Sequence, residues 1–264
     1  MAKTHITYEL DGEVALIGLD RADKRNAISD EVLRQLRDAA ARAGEEAKVG
    51  VVFGHGPCFS AGLDLAEAAT WMKPGAPRRR RGRWNRPFDL MARGPIPFVA
   101  ALHGACVGGG LELAAAAHVR VADETTMFAL PEGQRGIFVG GGGAVRIQRL
   151  MGYARMADLM LTGRVLTAAE GERANLCQYV VPKGEALARA VSLARRIAEN
   201  APMSNWAVTN GLPRLGDMSH EDGLFVEGLI GAWVASPEGF ARIQAFVDKK
   251  AARLAAPGTS GDGR

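Results

Sequence analysis

Residues 104–112, Gly104-Ala105-Cys106-Val107-Gly108-Gly109-Gly110-Leu111-Glu112, constrain this chain most. Ahead of them, Phe98-Val99-Ala100-Ala101-Leu102 is an unbroken apolar run of the kind a buried strand needs. After them, Leu113-Ala114-Ala115-Ala116-Ala117 combines high helix propensity with side chains small enough for tight packing. The consecutive glycines Gly108, Gly109 and Gly110 let the backbone turn sharply and leave room for a ligand beside it. The first amides of a helix have no partners within it, and the helix dipole adds partial positive charge there. Such an end suits a developing anion. Glu112 is expected one or two residues into the helix, so a carboxylate stands beside an anion site.

The rest of the composition fits a soluble, globular chain. With 264 residues it buries a large core, and 47% hydrophobic with 23% charged residues is ordinary for a globular protein. A net charge of +4 suits a polyanionic ligand. Cys58, Cys106 and Cys177 lie far apart without a CxxC pair, which fits a reduced, cytoplasmic protein better than a disulfide scaffold. Met1-Ala2-Lys3-Thr4-His5 contains no apolar signal region. Residues 95–117 are the most apolar stretch, yet they carry His103, Glu112 and four glycines, so no membrane span is expected.

Along the chain, Ile6, Tyr8 and Leu10 alternate with polar residues, Asp11-Gly12 is a favoured turn, and Val14-Ala15-Leu16-Ile17 returns, predicting a hairpin. Ser29 is placed to cap a helix whose inner face is Val32, Leu33, Leu36, Ala39, Ala40 and Ala43. Val49–Phe53 and Val119–Ala122 read as strands, and Val180–Pro182 as a short one. Residues 73–95 read as a loop or insert carrying Arg78, Arg79, Arg80, Arg81, Arg83 and Arg86. Helices are expected over 144–151, 154–161 and from Leu166 onward, and helix throughout 184–255. The tail 257–264 is small and polar and reads as disordered. Strand-strand-helix units followed by helices predict a layered α/β core with a helical C-terminal extension.

Two constellations carry possible chemistry. Glu112 and Glu132 both lie in apolar, glycine-rich surroundings, where an isolated carboxylate is costly. As a pair they are suited to proton transfer; alternatively they are unrelated exposed glutamates at helix starts. Leu63 and Gly109 each follow a small residue in a tight turn after a strand. If their amides converge they form an oxyanion hole; otherwise these are ordinary strand-to-helix turns. Trp71, Met72, Trp84, Phe88 and Met91 either line an acyl pocket or anchor the arginine-rich loop. The histidines His5, His55, His103, His118 and His220 show no metal spacing, and no Walker A or dinucleotide fingerprint is present. Cys106 reads as a small buried thiol.

These residues closely resemble the crotonase (enoyl-CoA hydratase/isomerase) superfamily, hydratase branch. The matching pieces are Arg21-Ala22-Asp23-Lys24-Arg25-Asn26-Ala27, Phe59-Ser60-Ala61-Gly62-Leu63-Asp64-Leu65, His103 to Ala114, Pro131-Glu132 with the glycines to Gly143, Leu166-Thr167-Ala168-Ala169-Glu170, and Phe246-Val247-Asp248-Lys249-Lys250. The resemblance implies an α/β fold: a crotonase-like spiral of repeated ββα units with a helical C-terminal trimerisation region. The spiral core with the acyl-CoA site would occupy residues 1–200 and the oligomerisation helices 201–256. It implies an acyl-CoA thioester as substrate, with CoA as part of that substrate rather than a cofactor, no metal, and self-association as a homotrimer or hexamer. Neither a membrane nor nucleic acid is expected as partner. Leu63 and Gly109 fall where the family's oxyanion-hole amides fall. Glu112 and Glu132 match the two carboxylates of the hydratase branch, Glu112 helping to activate a water for attack at Cβ and Glu132 supplying the proton to Cα. Ala61, Asp64 and Leu65 would hold the adenine, with Lys24, Arg25 and Ala27 along the pantetheine and phosphates.

The chain departs from the family pattern in several places. The usual proline after the second glutamate is replaced in Gly136-Ile137-Phe138-Val139-Gly140, so Phe138 is expected to reshape the acyl end of the pocket. The arginine-rich stretch falls where the family varies with substrate, and Gln134 and Arg135 put polar groups near Glu132. The expected activity is hydration of a trans-2-enoyl-CoA. The alternatives are a Δ3,Δ2-enoyl-CoA isomerase, which needs one carboxylate only, and a methylthioacryloyl-CoA hydratase-like enzyme that also cleaves the thioester. A non-catalytic RNA-binding use of Arg78 to Arg86 lacks the recurring aromatic and basic surface that RNA requires.

Overall fold

In the computed structural model, which describes residues 4–71, 73 and 84–248, the alternating N-terminal segment forms the expected hairpin. Strands β1 (Ile6–Asp11) and β2 (Val14–Leu19) pair antiparallel, from Ile6 opposite Leu19 to Asp11 opposite Val14. Helix α1 (Asp30–Glu46) starts at Ser29, whose Oγ accepts the Val32 amide at 3.3 Å. Its whole apolar stripe, Val32 to Ala43, is buried. Strand β3 (Val49–Gly54) then adds parallel to β2.

The loop expected over 73–95 is helical in its second half. After α2 (Leu65–Trp71), helix α3 (Asn85–Arg93) buries Pro87, Phe88 and Met91. Arginines interrupt the apolar spacing and hide this helix in the sequence, and Pro87 is tolerated because it sits in the first turn. Arg86 is on the exposed side of α3, while Arg78 to Arg83 lie outside the described residues.

Strand β4 (Phe98–Leu102) is buried at every position. A second, three-residue strand, β5 (Ala105–Val107), precedes α4 (Gly109–Ala114) and was hidden within the apparent loop, being too short to show a period. Helix α4 begins at the glycines and ends at Ala114 rather than Ala117. β6 (Val119–Asp123), β7 (Met127–Ala129), α5 (Gly143–Met151), α6 (Tyr153–Thr162), β8 (Val165–Thr167), α7 (Ala168–Arg173), β9 (Tyr179–Val181), α8 (Ala186–Ala198) and α9 (Pro202–Trp206) follow. Leu166 is thus in a strand, and the helix after it opens with a capping box between Thr167 and Glu170.

The strands form a six-stranded sheet in the order β1-β2-β3-β4-β6-β9 and a three-stranded sheet in the order β5-β7-β8. β4 then β5, and β6 then β7, each give one strand to each sheet, so successive turns of chain build both at once. This is the α/β spiral of ββα turns. Alternation along β4 sends Phe98, Ala100 and Leu102 into one apolar cluster with α1 and α4. Val99 and Ala101 point to the other, against Ala190, Leu193 and Ala194 of α8.

The chain divides into two units, Met1–Thr209 and Asn210–Arg264. The second holds α10 (Leu212–Leu215), α11 (His220–Val234) and α12 (Pro237–Val247). Helix is therefore not continuous over 184–255. Pro202, Ser219 and Ser236 restart it, the two serines as N-caps whose side chains accept from Asp222 and Gly239. Phe225, Leu229, Trp233, Phe240, Ile243 and Phe246 of this unit are exposed. No described helix is long and apolar enough to cross a membrane. The tail 257–264 lies outside the described residues.

Candidate active site

One parallel pairing decides where the two tight turns meet. Ser60 bridges Cys106 in parallel register, with the Ser60 amide donating to Ala105 O at 2.9 Å and the Val107 amide to Ser60 O at 3.1 Å. Three residues further on, both strands reach their turns, at Leu63 and Gly109. A Cβ built on Gly109 would lie 3.5 Å from the Leu63 amide nitrogen, and one on Gly62 would lie 3.0 Å from the Gly109 nitrogen. The structure therefore brings Leu63 and Gly109 together. Gly109 is the first residue of α4, so its amide has no acceptor inside the helix. Gly62 has φ +86°, a conformation that favours glycine, and the Ser60 hydroxyl accepts the Gly62 amide at 3.1 Å while donating to Asn26 O at 2.7 Å.

Glu112 and Glu132 are both buried, at 3% and 6% exposure. Glu112 is the fourth residue of α4, with its amide bonded to Gly108 O at 3.0 Å, so it sits deeper in the helix than expected. Its Oε1 accepts the amides of Gly141 at 2.7 Å and Gly143 at 2.9 Å. Glu132 reaches the same neighbourhood from the turn after β7: a Cβ on Gly108 would lie 2.7 Å from Glu132 Oε1. Gly108 thus touches one carboxylate and accepts the amide of the other residue. Glu132 Oε2 is buried with no hydrogen-bond partner among the described residues.

Burial pushes the Glu112 carboxyl above the usual carboxylate range, against the opposing pull of the Gly143 and Gly141 amides and the Arg146 charge. Burial also raises Glu132; its own backbone amide draws it down, the Glu112 charge raises it further and Arg135 opposes that. Arg146 holds the glycine loop from outside, donating to Gly141 O and, at 2.8 Å, to Asp89 of α3.

The residues expected to bind CoA form one surface. The Arg25–Ile28 segment runs beside Ala61–Asp64: the Ala61 amide donates to Arg25 O at 2.9 Å, Ile28 to Gly62 O at 2.7 Å, and Asp64 to Ile28 O at 3.0 Å. Lys24 and Arg25 are exposed, Ala27 and Ala61 half-buried, and Leu65 is 44% exposed. The Asp64 carboxylate is occupied by Arg21 at 2.6 Å, which holds it below the usual carboxylate range against burial. Phe138 is 71% exposed on the segment after Glu132.

Three supporting residues had no assigned role in the sequence. Asn26 is buried, has φ +53°, and donates to His55 O at 2.9 Å and Cys58 O at 2.8 Å while accepting the Arg21 amide. Ser60 and Arg146 tie down the two loops just described. Ser60 is a small polar residue inside apolar flanks, which is the only signal it offers, and Asn26, directly after Lys24 and Arg25, offers none.

Comparison with known proteins now decides the family. The family model for enoyl-CoA hydratase/isomerase matches residues 9–227. The chain belongs to the enoyl-CoA hydratase/isomerase family. Among relatives, enoyl-CoA hydratase EchA19 of Mycobacterium tuberculosis is 31% identical over 249 residues, covering 92% of this chain and 93% of that one. A solved Rhodopseudomonas palustris chain named for enoyl-CoA hydratase superposes with a TM-score of 0.85 at 42% identity, covering 93% of this chain and 95% of that one. The enoyl-CoA hydratase of Bacillus anthracis gives 0.87 at 27% identity, with 95% and 99% covered. This enoyl-CoA hydratase/isomerase family chain therefore has the crotonase fold.

Proposed function

We propose that this chain is an enoyl-CoA hydratase that adds water across the trans-2 double bond of an acyl-CoA. The observation that carries the reading is the pairing of an anchored carboxylate, Glu112, with a buried carboxylate oxygen of Glu132 that has no partner among the described residues. A buried polar atom without a partner costs stability, and a substrate or water in the site relieves it. An isomerase needs only one such group.

The thioester oxygen sits between the Leu63 and Gly109 amides, which favour the enolate that forms as water adds. Glu112, fixed by two backbone amides, orients and activates the water at Cβ. Glu132, its carboxyl pushed above the usual carboxylate range by burial and by the charge of Glu112, gives a proton to Cα. Lys24, Arg25, Ala27, Ala61, Asp64 and Leu65 border the CoA moiety, whose phosphates meet the two exposed cations. No cofactor beyond the substrate takes part. The exposed apolar side chains of α11 and α12 support self-association as a trimer or hexamer. Three unpaired, buried cysteines suit a reducing, cytoplasmic setting.

Purified protein and crotonyl-CoA, followed by loss of enone absorbance with a thiol reagent in parallel, test the reading. Absorbance loss without free thiol supports hydration. Thiol release assigns the coupled thioester cleavage instead, and no change across an acyl-chain series removes the hydratase reading.

A further inference from the structure

We infer that Trp84 sets the bulk of acyl group this site accepts, its indole forming the wall that the chain beyond Cβ must pass. The proposal rests on the acyl-CoA reading above and names the substrate subclass within it.

The position follows from two close approaches. A Cβ built on Gly109 would lie 2.7 Å from Trp84 Cζ3 and 3.1 Å from Cη2, as well as 3.5 Å from the Leu63 amide nitrogen. The benzo edge of the indole therefore borders the space between the two amides. Trp84 also meets Phe88 edge-on, with ring centroids 6.0 Å apart and an interplanar angle of 85°. Phe88 is fully buried, and a Cβ on Gly141 would lie 2.6 Å from its ring, at the residue whose amide holds Glu112. One aromatic wall thus runs from the amide pair to the loop behind Glu112. An acyl group with its carbonyl at the amides and its double bond at the glutamates lies along this wall.

The two rings differ in what they can do. Phe88 is core, and its removal would open a cavity beneath α3. Trp84 is half-buried and precedes the first residue of α3, and no described residue accepts its indole N–H. One side of its ring packs against the core cluster and the half left uncovered narrows the site, so the wild-type site favours short, unbranched acyl groups.

The test measures binding of free CoA, butyryl-CoA and decanoyl-CoA by calorimetry to wild type, Trp84→Ala and Trp84→Phe, with hydration of the matching trans-2-enoyl-CoAs alongside. Wild type is expected to prefer the short chain. Trp84→Ala should shift the decanoyl-to-butyryl ratio of affinities, and of kcat/KM, by ~10-fold or more toward the long chain. Trp84→Phe should shift it less, and neither variant should change affinity for free CoA. An unchanged ratio in a folded Trp84→Ala protein overturns the role of Trp84 and leaves the hydratase reading standing. Acyl-CoA binding without hydration removes the hydratase reading while the affinity ratios still decide on Trp84. Absence of acyl-CoA binding by wild type overturns both.

Discussion

The Gly141 amide donates to Oε1 of Glu112 at 2.7 Å, across 29 residues of sequence. This bond, with its neighbour from Gly143, fixes the carboxylate against the glycine loop without neutralising it. Glu112→Gln retains an acceptor for both amides and is expected to fold normally yet lose turnover ~100-fold or more, with much less change in acyl-CoA binding. Glu132→Ala should do the same. Steady-state kinetics on a trans-2-enoyl-CoA settle it: near wild-type turnover in either variant takes that residue out of the mechanism.

Glu132 makes stability depend on pH in a definite direction. Its folded-state pKa is raised, first by burial and then by the Glu112 charge. At acid pH, below the usual carboxylate range, the group is protonated whether the chain is folded or not, and costs nothing extra. As pH rises through that range toward the raised folded value, the unfolded chain releases its proton first and the native state loses stability. Glu132→Gln removes this penalty. Its melting temperature should approach that of wild type near pH 4 and exceed it increasingly toward neutrality, by about 2–4 °C per kcal/mol. A gap that widens as the pH falls contradicts the assignment.

Gly62→Ala tests the amide pair through the backbone. At φ +86° an alanine is strained, and its Cβ would lie 2.5 Å from Val107 O. The variant should lose ~1–3 kcal/mol of stability and, because Leu63 shifts, a larger share of kcat than of binding. Thermal melting together with kcat and KM separates the two effects; full activity in the variant would exclude the Leu63 amide from the site.

Arg146 links Gly141 O to Asp89, so it steadies the loop behind Glu112 from the side of α3. Its charge also lowers the Glu112 pKa. Arg146→Met is expected to reduce kcat about 10-fold or more through misplacement of the carboxylate and to move the acidic limb of the kcat/KM profile to higher pH. An unshifted pH profile would leave Arg146 a purely structural residue.

Much of the fold is legible in the sequence. The hairpin, α1 with its Ser29 cap, β3, β4 and β6 follow from periodicity and turn residues that act over a few positions. What is missed is short or disguised. β5 has three residues, less than two full periods. α3 carries its buried Phe88 and Met91 amid charges. α4 stops after Ala114, although the alanines that follow have the propensity to continue it.

The site divides in the same way. Local sequence determines that residues 62–63 and 108–109 turn tightly and that two glutamates lie in apolar flanks. It does not determine that these turns meet, that Glu112 is held by amides near residue 142, or that Trp84 stands against Gly109. Those relationships depend on the parallel register of Ser60 with Cys106 and on loops folding back over ~30 residues. They are selected by burial and hydrogen-bond satisfaction across the whole core, terms that belong to no single stretch of chain.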